Sequence, residues 1–172
     1  PKGLGKSTFA YHFVNFLLSH GEENEYSFKN FKINTDNRTF KLIQNGTHPN
    51  FFLLKNILPG ANIKIDQTRN LLKYLNKTTY SKGIKIVLLD NAEYLNLNAS
   101  NALLKSLEEP PNNTTFFIIH NDSSKILDTI KSRCTEFKFF FSTTDKKNIF
   151  NKIVENYQLD FNDVNLDRFL YF

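Results

Sequence analysis

The sequence predicts an α/β fold, in which a parallel sheet carries helices on both of its faces. Short apolar runs at 51–54, 86–89 and 115–119 are typical of strands that are buried on both sides. The intervening segments place apolar residues at helical spacing, and strands that alternate with helices favour parallel βαβ units. A ligand crevice is therefore expected at the carboxyl ends of these strands.

The composition indicates one well-buried domain with a small appendage. The chain has 172 residues, of which 40% are hydrophobic, including 18 phenylalanines. It contains no run of about 18 apolar residues and no amino-terminal signal pattern, so we expect a cytoplasmic protein without membrane partners. The net charge of +5 permits contact with nucleic acid or an acidic partner but does not require it. The single cysteine, Cys134, excludes an internal disulfide.

Three helices are predicted before and between the apolar runs. Apolar positions recur at helical spacing over 6–20, and Gly21 is the predicted stop. A second helix is predicted from Asp66, as its N-cap, to about Asn76. The third covers 99–109 and is stopped by the two prolines that follow it.

The remaining segments carry weaker signals. Residues 22–50 are polar and irregular, with a short strand predicted at 31–33. A short helix is predicted over 125–132 and a further strand over 136–141. From about residue 143 the pattern is purely helical, which predicts that a second domain begins there.

The clearest candidate site is the glycine-rich stretch Gly3-Leu4-Gly5-Lys6-Ser7-Thr8, which opens the first predicted helix. Small glycines let the backbone wrap around phosphate oxygens, Lys6 would reach the β- and γ-phosphates, and Ser7 would bind Mg²⁺. The complete motif needs a further glycine before Pro1, so we expect the chain to lack the strand that leads into this loop. The alternative is a glycine turn that only starts a helix.

Asp90 follows the 86–89 run directly, where the crevice is expected. An acid there, in a chain with a phosphate-type loop, is what a nucleotide-bound Mg²⁺ needs. The alternative is a cap of the following turn. His48 and His120 have no metal-ligand company in the sequence, and we interpret them as a turn residue and a strand-end residue.

Three blocks resemble, in order, the ATPase domains of bacterial DNA polymerase III clamp loaders: Leu88-Leu-Asp90-Asn-Ala-Glu93, Asn101-Ala-Leu-Leu-Lys-Ser-Leu-Glu-Glu-Pro-Pro111 and Ser132-Arg-Cys134. Within that group, Asn45-Gly-Thr-His48-Pro49 and Ile65-Asp-Gln67 with Arg69 resemble the delta-prime subunit family. The resemblance covers about residues 1–150. It implies a P-loop AAA+ domain with a three-layer αβα parallel sheet at 1–141, followed by the start of a small helical lid domain at 142–172.

The resemblance also implies ATP with Mg²⁺ as the ligand. Ser7 and Asp90 would lie nearest the metal, and Asn121 would read the γ-phosphate. The alternative for Asn121 is a simple turn residue. The residues that would hold the nucleotide are Gly3, Leu4, Gly5, Lys6, Ser7, Thr8, Asp90 and Asn121. Many relatives carry a four-cysteine zinc module between the loop and the acid strand. Residues 9–83 contain no cysteine, so zinc is not expected.

ATP hydrolysis by this chain is not expected. Hydrolysing relatives carry a glutamate directly after the aspartate, where it polarises the attacking water, whereas this chain has Asn91. Glu93 has the right chemistry, but we expect it to point away from the site on the turn that follows. The prediction is therefore a nucleotide that is bound and not turned over.

Arg133 is the candidate catalytic residue. In clamp loaders the arginine of the Ser-Arg-Cys triplet acts in trans, with its guanidinium against the γ-phosphate that a neighbouring subunit binds. The alternative is a surface arginine that binds a local carboxylate. Cys134, the next residue, is expected to be buried as a small apolar residue.

The function that the resemblance implies is a delta-prime-type scaffold in a clamp loader, an accessory part of a DNA-directed DNA polymerase (nucleotidyltransferase) holoenzyme. It would lie beside gamma/tau and delta subunits and help to place the sliding clamp on primed DNA, at the bacterial nucleoid. An active gamma/tau-type ATPase is the first alternative, and Asn91 and the absent cysteine module argue against it. A P-loop small-molecule phosphotransferase is the second, and it would need a lid with its own acids and bases. A DNA-binding module is least favoured, since no groove-reading helix or aromatic-basic platform is evident.

Overall fold

The computed structural model describes residues 4–27, 33–77, 83–121 and 126–157. The chain divides into two compact units, Lys2–Glu136 and Phe137–Phe172. In chain order the elements are α1 (Lys6–Ser19), α2 (Arg38–Gln44), β1 (Phe51–Leu54), α3 (Ile65–Leu75), β2 (Lys85–Leu89), a 3₁₀ helix (Ala92–Tyr94), α4 (Leu97–Glu108), β3 (Thr114–Ile118), α5 (Asp128–Lys131) and α6 (Thr143–Tyr157). The domain boundary inferred from the sequence, between 141 and 142, stays a prediction.

The sheet is parallel and has the order β1-β2-β3. Phe51 lies opposite Ile86 in the first pair, and Lys85 lies opposite Thr114 in the second. All three predicted apolar runs are thus strands, although β3 covers Thr114–Ile118 rather than 115–119. The α/β class is confirmed, as are the helices predicted at 6–20, 66–76 and 99–109, which are α1, α3 and α4 with shifts at their ends.

The central strand β2 divides the core in two, because its alternate side chains face opposite sides of the sheet. All five of its residues are buried. On one face its side chains pack with α1 and α2, and the buried members are Ala10, Val14, Ile43, Phe51, Ile86 and Leu88. On the other face they pack with α3, α4 and α5 in a larger cluster that includes Leu71, Leu75, Val87, Leu89, Leu103 and Ile130. The Lys2–Glu136 unit therefore has the predicted three layers, helix, sheet and helix.

Lys85 is the first residue of β2 and is buried, since only 3% of the residue is exposed. Its ammonium donates hydrogen bonds to the carbonyls of Lys77 at 2.6 Å and of Tyr74 and Leu75 at 3.3 Å each. It also lies 4.8 Å from the centroid of the Tyr74 ring. Burial lowers the pKa of Lys85. The lysine thereby caps the carboxyl end of α3, where cations are favoured and backbone acceptors are left without helical partners.

The sequence predicted Asp66 as the N-cap of α3, and this prediction is wrong. The cap is Lys64, whose backbone N–H donates to the side-chain oxygen of Gln67 at 3.1 Å. Asp66 lies instead in the first turn and accepts a 2.9 Å hydrogen bond from Arg69. The glutamine side chain reaches back to the cap position, so the helix starts before the acid.

The segment 136–141 does not form the predicted strand. Its phenylalanines have the residue type that strands favour, yet Phe137 and Phe140 are each 78% exposed. A strand needs a neighbour for its backbone groups, and within the described part of the chain the sheet consists of β1, β2 and β3 alone. Residue type alone was therefore an insufficient signal here.

The segment 22–50 is less irregular than predicted, because it contains α2. The side chain of Asn37 accepts a hydrogen bond from the N–H of Phe40 at 2.9 Å and so caps this helix. Most of the strand predicted at 31–33, the start of the helix predicted at 125–132 and the helical pattern after 157 lie outside the described residues. The part of the 125–132 helix that the structure describes is α5. None of the helices among the described residues has the length and apolar character that a membrane span requires.

Candidate functional site

The candidate site begins at the amino end of α1, where Gly5 is the N-cap with a φ of 73°. This left-handed conformation favours glycine, and since a Cβ there would meet nothing within 4 Å, the requirement concerns the backbone and not space. Leu4 is half-buried and Thr8 is exposed, whereas Gly3 lies outside the described residues. The positive end of this 14-residue helix therefore lies at the turn.

Ser7 and Asp90 are in contact at this helix end. The serine hydroxyl donates to both carboxylate oxygens of Asp90, at 3.0 and 3.1 Å. Asp90 comes directly after β2, and its backbone N–H donates to the carbonyl of Leu54 at 2.9 Å, which fixes it beside the end of β1. Hydroxyl and carboxylate oxygens are the ligands that Mg²⁺ prefers, so this pair could hold that ion with a nucleotide.

Lys6 and Asn121 form the second contact of the site. The lysine ammonium donates to the side-chain carbonyl oxygen of Asn121 at 2.9 Å. Asn121 is buried and follows β3, so the contact joins the helix to the carboxyl end of the neighbouring strand. Of the predicted nucleotide residues, Lys6, Ser7, Asp90 and Asn121 are therefore brought together.

The negative charge of Asp90 affects the pKa of a neighbouring side chain. Tyr11 lies one turn along α1, and its pKa is raised, first by burial and then by the negative charge of Asp90. The phenol thus stays protonated at neutral pH. A cation bound beside Asp90 would offset this charge, and we expect the carboxylate to attract one.

Asn91 and Glu93 make contacts that the sequence did not predict. Asn91 has a left-handed backbone, with a φ of 59°, and its amide donates to the side-chain oxygen of Asn56 at 3.2 Å. Glu93 lies on the 3₁₀ helix that follows, as expected, but it does not point away from the site. Its carboxylate accepts a 2.5 Å hydrogen bond from the amide of Asn121, because the tight turn directs position 93 towards the end of β3. The sequence offered no signal for this contact.

Arg133 lies just after α5 and binds a local carboxylate. Its Nε donates to Glu108 at 2.8 Å, and one of its Nη groups bonds the same carboxylate oxygen. The other Nη donates to the carbonyl of Thr129 at 2.6 Å and to the hydroxyl of Ser132 at 3.2 Å. Glu108 ends α4 within the Glu-Glu-Pro-Pro block, so the two sequence blocks that carry the resemblance meet at this ion pair.

Three other predictions concern single residues near these elements. Cys134 is exposed and not buried as expected, and the segment 136–141 that follows it is not a strand. His120 does have a carboxylate partner, since its Nε2 lies 3.5 Å from Glu136. His48 accepts a hydrogen bond from the N–H of Asn50 at 3.2 Å and is a turn residue, as interpreted.

The parallel sheet lies between two layers of helices. A Lys-Ser pair opens a helix beside an acid at the end of the central strand. Together these features define a P-loop protein of the AAA+ class. The fold matches that of a DNA polymerase III gamma subunit-related protein from Thermotoga maritima. The TM-score is 0.50 at 27% sequence identity, over 60% of this chain and 36% of that chain.

The chain belongs to the DNA polymerase III delta subunit family, which it matches over residues 1–142. It is 38% identical to DNA polymerase III subunit delta' of Pseudomonas aeruginosa over 136 residues, which are 79% of this chain and 40% of that protein. It is 32% identical to subunit delta' of Escherichia coli over 132 residues, or 77% of this chain and 38% of that protein. The chain thus spans about two fifths of the length of these relatives. The family resemblance of the sequence is confirmed.

Proposed function

We propose that this protein is a delta-prime-type clamp-loader subunit that binds ATP with Mg²⁺ without hydrolysing it and supplies Arg133 to the ATP site of a neighbouring subunit. The observation that carries the proposal is the meeting of Lys6 and Ser7 with Asn121 and Asp90, in a chain of the delta subunit family. These four side chains offer one cation, one amide and two oxygen ligands beside a helix amino end. That set suits a triphosphate with its metal ion.

Asn91 is the reason that no turnover is expected. A carboxamide cannot accept the proton of an attacking water, and here it donates to Asn56. Asp90 is occupied with Ser7 and would face the metal ion rather than a water. The nucleotide would then stabilise the fold of this subunit without being consumed.

The hydrogen bonds of Arg133 support a role in trans. The guanidinium has five N–H donors, and its contacts with Glu108, Thr129 and Ser132 engage four of them. The Glu108 pair fixes the plane of the group, and a phosphate could take over its donors, because a planar fork binds phosphate as well as carboxylate.

Within the assembly, the protein would lie beside gamma/tau-type motor subunits and a delta subunit and help to load the sliding clamp onto primed DNA. The match to a gamma subunit from Buchnera aphidicola, 36% identical over 92 residues, supports a common fold for such neighbours. These 92 residues are 54% of this chain and 25% of that protein.

The test is a titration of the protein with a fluorescent ATP analogue and Mg²⁺, with phosphate release followed in the same sample. We expect binding without release, and loss of binding in Lys6→Ala, because the ammonium is the main charge that faces the phosphates. Lys41→Ala is the matched control, since Lys41 is an exposed lysine on α2.

Two results would contradict the proposal in different ways. Absence of binding in the unsubstituted protein would remove the nucleotide and leave Arg133 as the remaining phosphate contact. Steady phosphate release that Lys6→Ala abolishes would make the protein a motor ATPase of the gamma/tau type.

A further inference from the structure

Glu93 makes a contact that the proposed nucleotide site does not require. Its Oε1 accepts the 2.5 Å hydrogen bond from Asn121, whose other amide atom accepts from Lys6 at 2.9 Å. The three side chains therefore form a series in which one amide lies between an ammonium and a carboxylate. The other oxygen, Oε2, is buried and accepts no hydrogen bond from the described residues.

The backbone around Glu93 is held on both sides. The N–H of Ala92 donates to the carbonyl of Ile119 at 2.9 Å, and the N–H of Ile63 donates to the carbonyl of Tyr94 at 2.7 Å. The 3₁₀ helix is thus tied to the end of β3 and to the segment before α3. Glu93 is fixed before any ligand arrives, which is what a residue that orients another side chain needs.

The chemistry of the three groups permits one orientation of the amide. A carboxylate accepts hydrogen bonds and an ammonium donates them, so the NH₂ of Asn121 must face Glu93 and its carbonyl oxygen must face Lys6. The reverse orientation would set two acceptors against each other at Glu93 and two donors against each other at Lys6. Without Glu93, the lysine would be the remaining group among the described residues that selects the orientation.

We propose that Glu93 is a positioning residue that orients Asn121 and, through it, places the Lys6 ammonium at the mouth of the loop. The ligand that this arrangement serves is the terminal phosphate of a nucleoside triphosphate, and this part of the inference rests on the proposed function. Glu93 does not touch the phosphate. It decides which atom of Asn121 the lysine meets, and it balances the lysine charge across one intervening amide.

The first test uses the protein without nucleotide and measures the side-chain amide signals of Asn121 by NMR, assigned with Asn121→Ala. A short bond to a carboxylate should shift one amide proton strongly downfield and slow its exchange with water. We expect both effects to disappear in Glu93→Ala and to be intermediate in Glu93→Gln, which keeps an acceptor but not the charge. Glu23→Ala, which removes an exposed carboxylate, should change neither signal.

The second test compares ATP and ADP binding. We expect Glu93→Ala to weaken the binding of the ATP analogue about tenfold, the worth of one charge-assisted hydrogen bond, with little change for ADP. Asn121→Ala should lose at least as much, and the double variant should lose no more than Asn121→Ala alone, since Glu93 acts through Asn121. Thermal unfolding of the same samples shows whether the Ala variant folds. If it does not, the Gln variant decides.

The outcomes separate this inference from the proposed function. Unchanged Asn121 signals in Glu93→Ala would overturn the positioning role, and so would losses for ATP that add in the double variant. If neither the unsubstituted protein nor any variant binds nucleotide, the proposed function is wrong. The amide signals then still decide whether Glu93 orients Asn121.

Discussion

Arg133 illustrates how far a single residue could be assigned from the sequence. Its triplet marked it as a phosphate ligand in trans, and the alternative was a local ion pair. The structure contains such a pair with Glu108, whose side chain remains 48% exposed. Exposed ion pairs contribute about 0–1 kcal/mol to stability, so this contact alone gives the arginine little structural weight.

On the proposed function, we predict that Arg133→Ala lowers ATP turnover by a clamp loader reconstituted with gamma/tau-type subunits, with the affected site slowed on the order of a thousandfold. Arg133→Lys should be slowed as well, because lysine keeps the charge but lacks the planar fork. Phosphate release measures the effect, and size-exclusion chromatography checks that the complex assembles. Arg69→Ala is the control, as Arg69 is an exposed arginine paired within α3. Normal turnover with Arg133→Ala would reduce the residue to its local ion pair.

The sequence predicted which side chains lie near one another better than it predicted the contacts they make. Lys6 and Ser7 were inferred from the glycine-rich motif, and Asp90 from its place at the carboxyl end of an apolar run, where open α/β sheets have their ligand crevice. Asn121 was proposed from the family resemblance. Glu93 was given the wrong direction, since the outcome depends on the geometry of one 3₁₀ turn, which its sequence does not reveal. The predicted burial of Cys134 was wrong as well, since residue type alone does not show whether other elements cover a side chain.

At the scale of elements, the carboxyl end of α3 is capped by a residue outside the helix, at the start of β2. The last carbonyls of α3 receive the Lys85 ammonium, which belongs to the first residue of the central strand. A lysine at the start of an apolar run would ordinarily be placed in solvent. Its burial could not be predicted, because the acceptors come from a helix about ten residues earlier in the chain.

We predict that Lys85→Met destabilises the protein by about 2 kcal/mol, although methionine fills similar volume. The reason is that the carbonyls at the end of α3 lose their donor while they stay covered. Urea unfolding followed by circular dichroism measures the change. Lys73→Met, at an exposed position of the same helix, should stay within about 0.5 kcal/mol of the parent protein. Equal midpoints for the two variants would show that the buried ammonium is not a stabilising cap.

At the scale of elements, existence was easier to predict than extent. The strands β1 and β2 have strong signals because both faces are buried, and all their positions are apolar apart from Lys85. The short helix α2 was missed because one capping asparagine and seven residues give a weak periodic signal. The segment 136–141 was overpredicted, since strand pairing depends on a neighbour and not on the segment itself.

At the scale of the molecule, the layer order followed from the alternation of strands and helices, and the structure confirms it. Tertiary burial then sets properties that no local pattern reveals, and His48 is an example. Burial lowers its pKa below the ordinary 6.5, Arg38 acts in the same direction, and Glu22 acts against them. Its Nδ1 is an acceptor for Asn50, which suits the neutral ring.

We predict that global stability falls as the pH drops below 6.5, because the unfolded chain takes up a proton on His48 at a pH where the folded protein does not. The contribution is fully present above 6.5 and is lost progressively towards the lower pKa of the folded state. Denaturant unfolding from pH 7.5 to 5 measures the slope. His48→Asn keeps an acceptor and should flatten it, whereas His20→Asn, at an exposed position, should not. Equal slopes in all three proteins would contradict the prediction.

The register of the sheet also bears on how the chain folds. Phe51 pairs with Ile86 and Lys85 with Thr114, so the central strand must close loops of 35 and 29 residues on its two sides. The entropic cost of closure depends on the logarithm of loop length, so these two costs differ by only about 0.2 kcal/mol. Neither half has a head start from connectivity. We therefore expect folding to nucleate from either βαβ half in parallel, with the order of assembly decided by whichever of α3 and α4 forms first.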